Sequence, residues 1–397
     1  SVTTGTANTI MGGLAGDALT TGYGNIAIGY NALSAEDTGG TNVAIGHAAL
    51  QVQDAGANAY NIAIGYDTGK AVTTGTQNTI IGGDAGKALT TGSNNTAIGY
   101  EALSVEDTGS RNTAIGWRAL KKLNYDGLGH NIGIGYEAGA ESTTGRYNIL
   151  IGNFAGDAIT TGSENVAIGY AALSSEDGNG KNIAIGTNAL EDLNAGADAY
   201  NVAIGHDAGK NVSTGVRNTL IGGLTGDALT TGQYNVAIGY QSLSTEDTGS
   251  KSVAIGYDAL KDQNYDGDAY NVAIGFAAGE NVSTGTRNTL IGGLTGDALT
   301  SGYYNTALGY QALSGSVSGR NAVAIGYQAL MNENATNTET YNVAVGYTAG
   351  AQITTGVRNT IMGGLAGDAL TTGSYNTAVG YAALSAEDAN GGNTAIG

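Results

Sequence analysis

The chain has 397 residues, among them 68 Gly but no Pro or Cys, and a formal net charge of −19. The absence of Cys excludes disulfide frameworks, thiolate zinc sites and thiol nucleophiles, and the acidic balance argues against nucleic acid or an anionic membrane as partner. With 41% hydrophobic and 12% charged residues the chain has the means to build a core, while no apolar run reaches the ~18 residues of a membrane span.

From the N-terminus, one phrase organises everything that follows. Asn-x-x-(Ile/Leu/Val/Met)-Gly opens at Asn8, Asn25, Asn42 and Asn61, then at Asn78, Asn95, Asn112, Asn131 and onward to Asn393. Successive openings are separated by 17, 17, 19 and 17 residues, so four turns form a block of 70 that starts again at Asn78, Asn148, Asn218 and Asn288. Such nested periods predict stacked repeats rather than separate globules. The fold class expected is all-β: a parallel β-solenoid of the left-handed β-roll type, with about 23 turns forming one continuous domain over residues 1–397.

The first turn of each block carries a large residue in the third place of the phrase, as in Asn218-Thr-Leu-Ile-Gly. The second ends in an acidic pair, such as Glu36-Asp37 or Glu246-Asp247, which is expected at the surface. The third is two residues longer and has a loop rich in Asn, Asp, Gly and Tyr. The fourth carries Ala-Gly and, in several copies, Thr-Gly-x-Arg ending at Arg217, Arg287 or Arg358. Two turns open without Asn, at Ser252 and Ala322, and the step after Ala322 is 20 residues. Repeats begin at once and break off within a phrase at Gly397. Stacked arrays need caps, so the sequence reads as part of a longer protein.

Within a phrase the residues alternate as in a strand. In Asn235-Val-Ala-Ile-Gly, Val236 and Ile238 share one face, which is expected to form a narrow core of Ile columns. The proposed ladder comprises Asn25, Asn95, Asn165 and Asn235 with Ile28, Ile98, Ile168 and Ile238, the Asn side chains bonding amide to amide along the stack. The Ala column opposite either fits inside a thin roll or packs against neighbouring chains.

The phrases Asn95-Thr-Ala-Ile-Gly-Tyr-Glu-Ala-Leu103 and Asn165-Val-Ala-Ile-Gly-Tyr-Ala-Ala-Leu173 resemble the head repeats of trimeric autotransporter adhesins. They also resemble the related repeats of bacteriophage tail fibres and bacterial surface proteins. The turns here are longer than in the adhesins. The resemblance implies a left-handed roll, three chains side by side, a place outside the cell or on a virion, and binding rather than catalysis.

No nucleophile–base constellation or phosphate loop recurs in the sequence, so no catalytic residue is named and no cofactor is required. Three site readings remain. Asn264, Asp266 and Asp268 resemble a fragment of a calcium loop, although its terminal bidentate Glu is missing. Tyr60, Tyr200, Tyr270 and Tyr341 stand beside the long loop, where rings and polar groups suit a host surface glycan bound weakly at many points. Further copies of the chain, as a trimer or filament, are the other expected partner. The alternatives kept open are a scaffold without ligand and a tailspike-type glycan depolymerase.

Overall fold

The computed structural model describes residues 3–336 and 338–397. These contain no helix and 23 strands of three residues each. The chain divides into two compact units, 1–200 and 201–397, and each is a parallel β-solenoid. The first runs from β1 (Thr9–Met11) to β11 (Ile183–Ile185), the second from β12 (Val202–Ile204) to β23 (Thr394–Ile396). Strand follows strand in parallel and without slippage: Ile28 pairs with Ile45, and Ile45 with Ile64. In the second unit Val236, Ala237 and Ile238 pair with Val253, Ala254 and Ile255. Equivalent letters of successive turns therefore lie over one another, as the 17- to 19-residue period requires.

The structure reverses the expected core. The third-place residue is fully buried, as at Ala27, Ala97, Ala167 and Ala237. The second and fourth places point outward, half-exposed, in nearly every strand. Ile28, Ile98, Ile168 and Ile238 do form a ladder, but on the outer face. The opening Asn decides the matter. Asn25, Asn165 and Asn235 are fully buried and Asn95 is 1% exposed, and a period of two places the residue two further on along the same inward face. With Ala occupying the interior, it cannot be the face offered to other chains.

The large third-place residues are core as well. Ile80, Leu150, Leu220, Leu290 and Ile361 are fully buried. Each of their turns has Gly in the ninth place, where the second turn has a buried Leu such as Leu103. A Cβ on Gly156 would lie 2.8 Å from Leu150 Cδ2, and one on Gly86 would lie 3.1 Å from Ile80 Cγ2. Bulk thus moves from the ninth place to the third in these turns; where the fourth turn is small at both, as at Gly133 and Gly139, Leu120 and Leu150 of the adjoining turns reach into the space.

The Asn ladder is real, but its main bonds reach the backbone. The N–H of Asn42 donates to Asn25 Oδ1 at 3.0 Å, while Asn25 Nδ2 donates to Gly39 O at 2.9 Å. The same pair of bonds recurs at Asn95, Asn165 and Asn235, whose Oδ1 atoms accept from the N–H of Asn112, Asn182 and Ser252. Amide-to-amide bonds join only some rungs, for example Asn305 Nδ2 to Asn288 Oδ1 at 3.1 Å. One side chain per turn satisfies buried backbone groups that the corners leave without a strand partner. The Thr-Gly corners use their hydroxyls similarly, Thr20 Oγ1 donating to Asp37 O at 3.1 Å.

Candidate functional site

The described residues enclose no ligand-sized cavity, so the candidate sites are surface columns built by stacking. The first follows from the strand-ending Gly. The next residue, sixth in its turn, stands outward, and rings there fall into line. Tyr30, His47 and Tyr66 stack with centroids 5.7 and 4.9 Å apart; Tyr240, Tyr257 and Phe276 do so at 5.6 and 5.4 Å; and Tyr310, Tyr327 and Tyr347 at 5.8 and 5.3 Å. Trp117, the only Trp, lies between Tyr100 and Tyr136, and the Arg118 guanidinium sits 3.9 Å from its ring centre. Each of these runs ends in the first turn of the next block, where the sixth place has no ring: Gly83, Asn153, Gly293 and Gly364.

A second column lies just before each opening Asn, where the backbone takes positive φ: 57° at Arg217, 60° at Tyr234, 63° at Lys251, 52° at Tyr270 and 58° at Arg287. From Arg217 to Tyr304 cations and Tyr rings alternate along it. Arg217 lies 5.4 Å from the Tyr234 ring, Lys251 5.2 Å from Tyr270, and Arg287 5.9 and 5.5 Å from Tyr270 and Tyr304. Such exposed contacts contribute about 0.5–1 kcal/mol each. All four Tyr singled out as glycan contacts stand here, three of them beside a cation. Tyr200 takes a hydrogen bond from Lys181, Tyr270 takes one from Lys251, and Tyr341 donates to Glu339 with Arg358 near its ring. Tyr60 lies in the equivalent place between Thr41 and Gln77 and is 56% exposed. The alternation was missed in the sequence because the long turn moves its Tyr from the seventeenth to the nineteenth place, hiding the column.

Of the calcium candidates, Asp268 Oδ2 lies 2.6 Å from Lys251 Nζ and Asp266 Oδ1 accepts from Thr248 at 3.1 Å, while the backbone N–H of Asn264 donates to Ser283 O. Lys251 holds the Asp268 carboxyl below the usual carboxylate range. The three acids that converge among the described residues are Glu36, Asp37 and Asp54, with ligand atoms within 4.8 Å. Glu36 already accepts from the N–H of Gly39 and, at 3.1 Å, from Gln53 Nε2.

The recurring Glu of the acidic pairs is not at the surface. Glu36, Glu106, Glu176 and Glu246 are fully buried in the corner, the place held by Leu19 or Val72 in other turns. Burial raises all four carboxyls above the ordinary Glu value. Each accepts a hydrogen bond from the N–H three residues on, closing the corner much as a turn-capping side chain does. In the irregular block Ser316 takes this place and the buried Glu moves to Glu333, which accepts from Asn342 Nδ2 at 2.8 Å.

Comparison with known protein families and with curated proteins finds no match.

Proposed function

We propose that the chain is a non-enzymatic extracellular attachment element, a stack of turns that presents the same surface many times over to a glycan. The observation that carries this reading is the recurrence of exposed ring and cation–ring columns at fixed places of successive turns. One weak contact per block becomes useful when many engage the same polymer. The outward Val, Ile and Thr of the strands form a second repeated face in each unit, suited to side-by-side packing of further copies, as the resemblance to trimeric adhesins implies.

The test is retention of the whole chain on surfaces coated with bacterial, algal or animal polysaccharides. Retention that outlasts a wash with the matching free monosaccharide supports the reading. Failure on every surface refutes it and leaves a scaffold without ligand. Light scattering tests the assembly: the proposal expects three times the 39.5 kDa chain mass, and a monomer at all concentrations overturns it.

A further inference from the structure

The first turn of each block has no ring at the sixth place, and where rings stand in the turns on both sides this gap leaves a notch two turns deep. Its walls stand ~9.6 Å apart at the backbone, two strand spacings. The pairs are Tyr66 and Tyr100, Tyr136 and Tyr170, His206 and Tyr240, Phe276 and Tyr310, and Tyr347 and Tyr381. Next to each notch floor stands the seventh residue of the intervening turn. That residue has the same backbone geometry each time, with φ of 57° at Asp84, 59° at Phe154, 55° at Leu224, 52° at Leu294 and 56° at Leu365. Its N–H also donates to the carbonyl of the wall residue one turn earlier in every case.

One notch shows what size of group fits. The Phe154 ring lies 5.2 Å from Tyr136 and 5.9 Å from Tyr170, meeting both walls edge to face. The chain itself therefore places a six-membered ring between the walls. At three other notches the seventh residue is Leu. At the notch between Tyr66 and Tyr100 alone it is an acid, Asp84, whose one ion pair among the described residues is with Lys87 at 3.6 Å. Its floor is Gly83, and the Tyr100 wall lies against it: a Cβ there would be in van der Waals contact with that ring, at 3.5 Å. Both wall rings are open to solvent, Tyr66 at 60% and Tyr100 at 46% exposure.

We infer that the notch formed by Tyr66, Gly83, Asp84 and Tyr100 binds one pyranose ring of a neutral glycan. The ring's C–H faces lie against the two Tyr and a hydroxyl donates to the Asp84 carboxylate. Aromatic walls with one well-placed acceptor are what a hydroxyl-bearing six-membered ring needs. The inference rests on the glycan-attachment reading and names a different place for it than the Tyr beside the long loops.

The test is saturation-transfer NMR on the whole chain with methyl glucoside, galactoside, mannoside and N-acetylglucosaminide, alongside Trp117 fluorescence, since Trp117 stacks on the Tyr100 wall. Transfer to the ring protons of at least one sugar is expected. Asp84→Leu, which installs the residue native to three other blocks and so should fold, abolishes it. Leu365→Asp, which places the acid between two Tyr walls, Tyr347 and Tyr381, doubles the bound sugar. Transfer that persists in Asp84→Leu overturns the notch, as does transfer to tetramethylammonium and to none of the sugars. Absence of transfer in the unaltered chain overturns it too. If polysaccharide surfaces still retain the chain, the attachment reading survives that loss; if they do not, both fall.

Discussion

Leu150 and Ile151 are neighbours in β9 (Ile149–Ile151), and a pair of truncations there separates the observed core from its mirror image. Leu150 is fully buried. Its methyls lie over Gly139 and Gly156, where added Cβ atoms would come within 2.6 and 2.8 Å of them. Neither Gly has a side chain that could relax into a hole, so Leu150→Ala should leave most of its cavity open and cost about 3–4 kcal/mol. Ile151 faces outward and is only half-covered, so Ile151→Ala should cost about 1 kcal/mol. Urea unfolding followed by Trp117 fluorescence reads both in the same unit, at a concentration low enough to keep chains apart. Equal losses, or a larger loss for Ile151→Ala, would refute the inward assignment of the third place.

Asn235→Ala removes the acceptor of the Ser252 N–H and the donor to Gly249 O; two buried backbone groups lose partners, and a loss of about 2–4 kcal/mol in urea is expected. The same change at Asn393, half-buried in the last turn, should cost less. Burial raises Asp157 to about 6 and also raises Glu106, Glu176 and Glu246. For an acid raised in the fold, the stabilising contribution is full below the unfolded value and is lost as pH climbs through the folded one. The urea midpoint should therefore be higher at pH 5 than at pH 7.5, and Asp157→Asn should flatten that difference in the first unit. Deleting residues 78–147, one whole block, should leave the far-ultraviolet circular dichroism per residue unchanged, whereas deleting 78–142 should reduce it.

The sequence made the architecture legible because stacking forces a period, and Asn-x-x-Ile-Gly marks that period at nearly every turn. The direction of the side chains was hidden. A three-residue strand gives a single alternation, both of its faces are apolar here, and the larger Ile looked like the better core residue. The clue was Asn itself, whose buried amide marks the inside, together with the exchange of Leu103 for Gly86 wherever Ile80 or its equivalents appear. Glu36 and its equivalents were misread because an acid in a corner is ordinarily solvated, and only the fold shows the N–H groups gathered around it. Aromatic runs were visible as a Tyr-rich sixth place. The Phe154 plug and the acid at Asp84 gain meaning only once the turns are superposed.

The absence of Cys allows a direct reading of the central claim, that like places of successive turns stack with the third place inside and the fourth outside. Ala237→Cys and Ile238→Cys, labelled with a maleimide under native conditions, should behave oppositely: the thiol at 238 reacts at the rate of an accessible cysteine, and the thiol at 237 stays protected until urea opens the stack. Rapid labelling at 237 with protection at 238 would contradict the account.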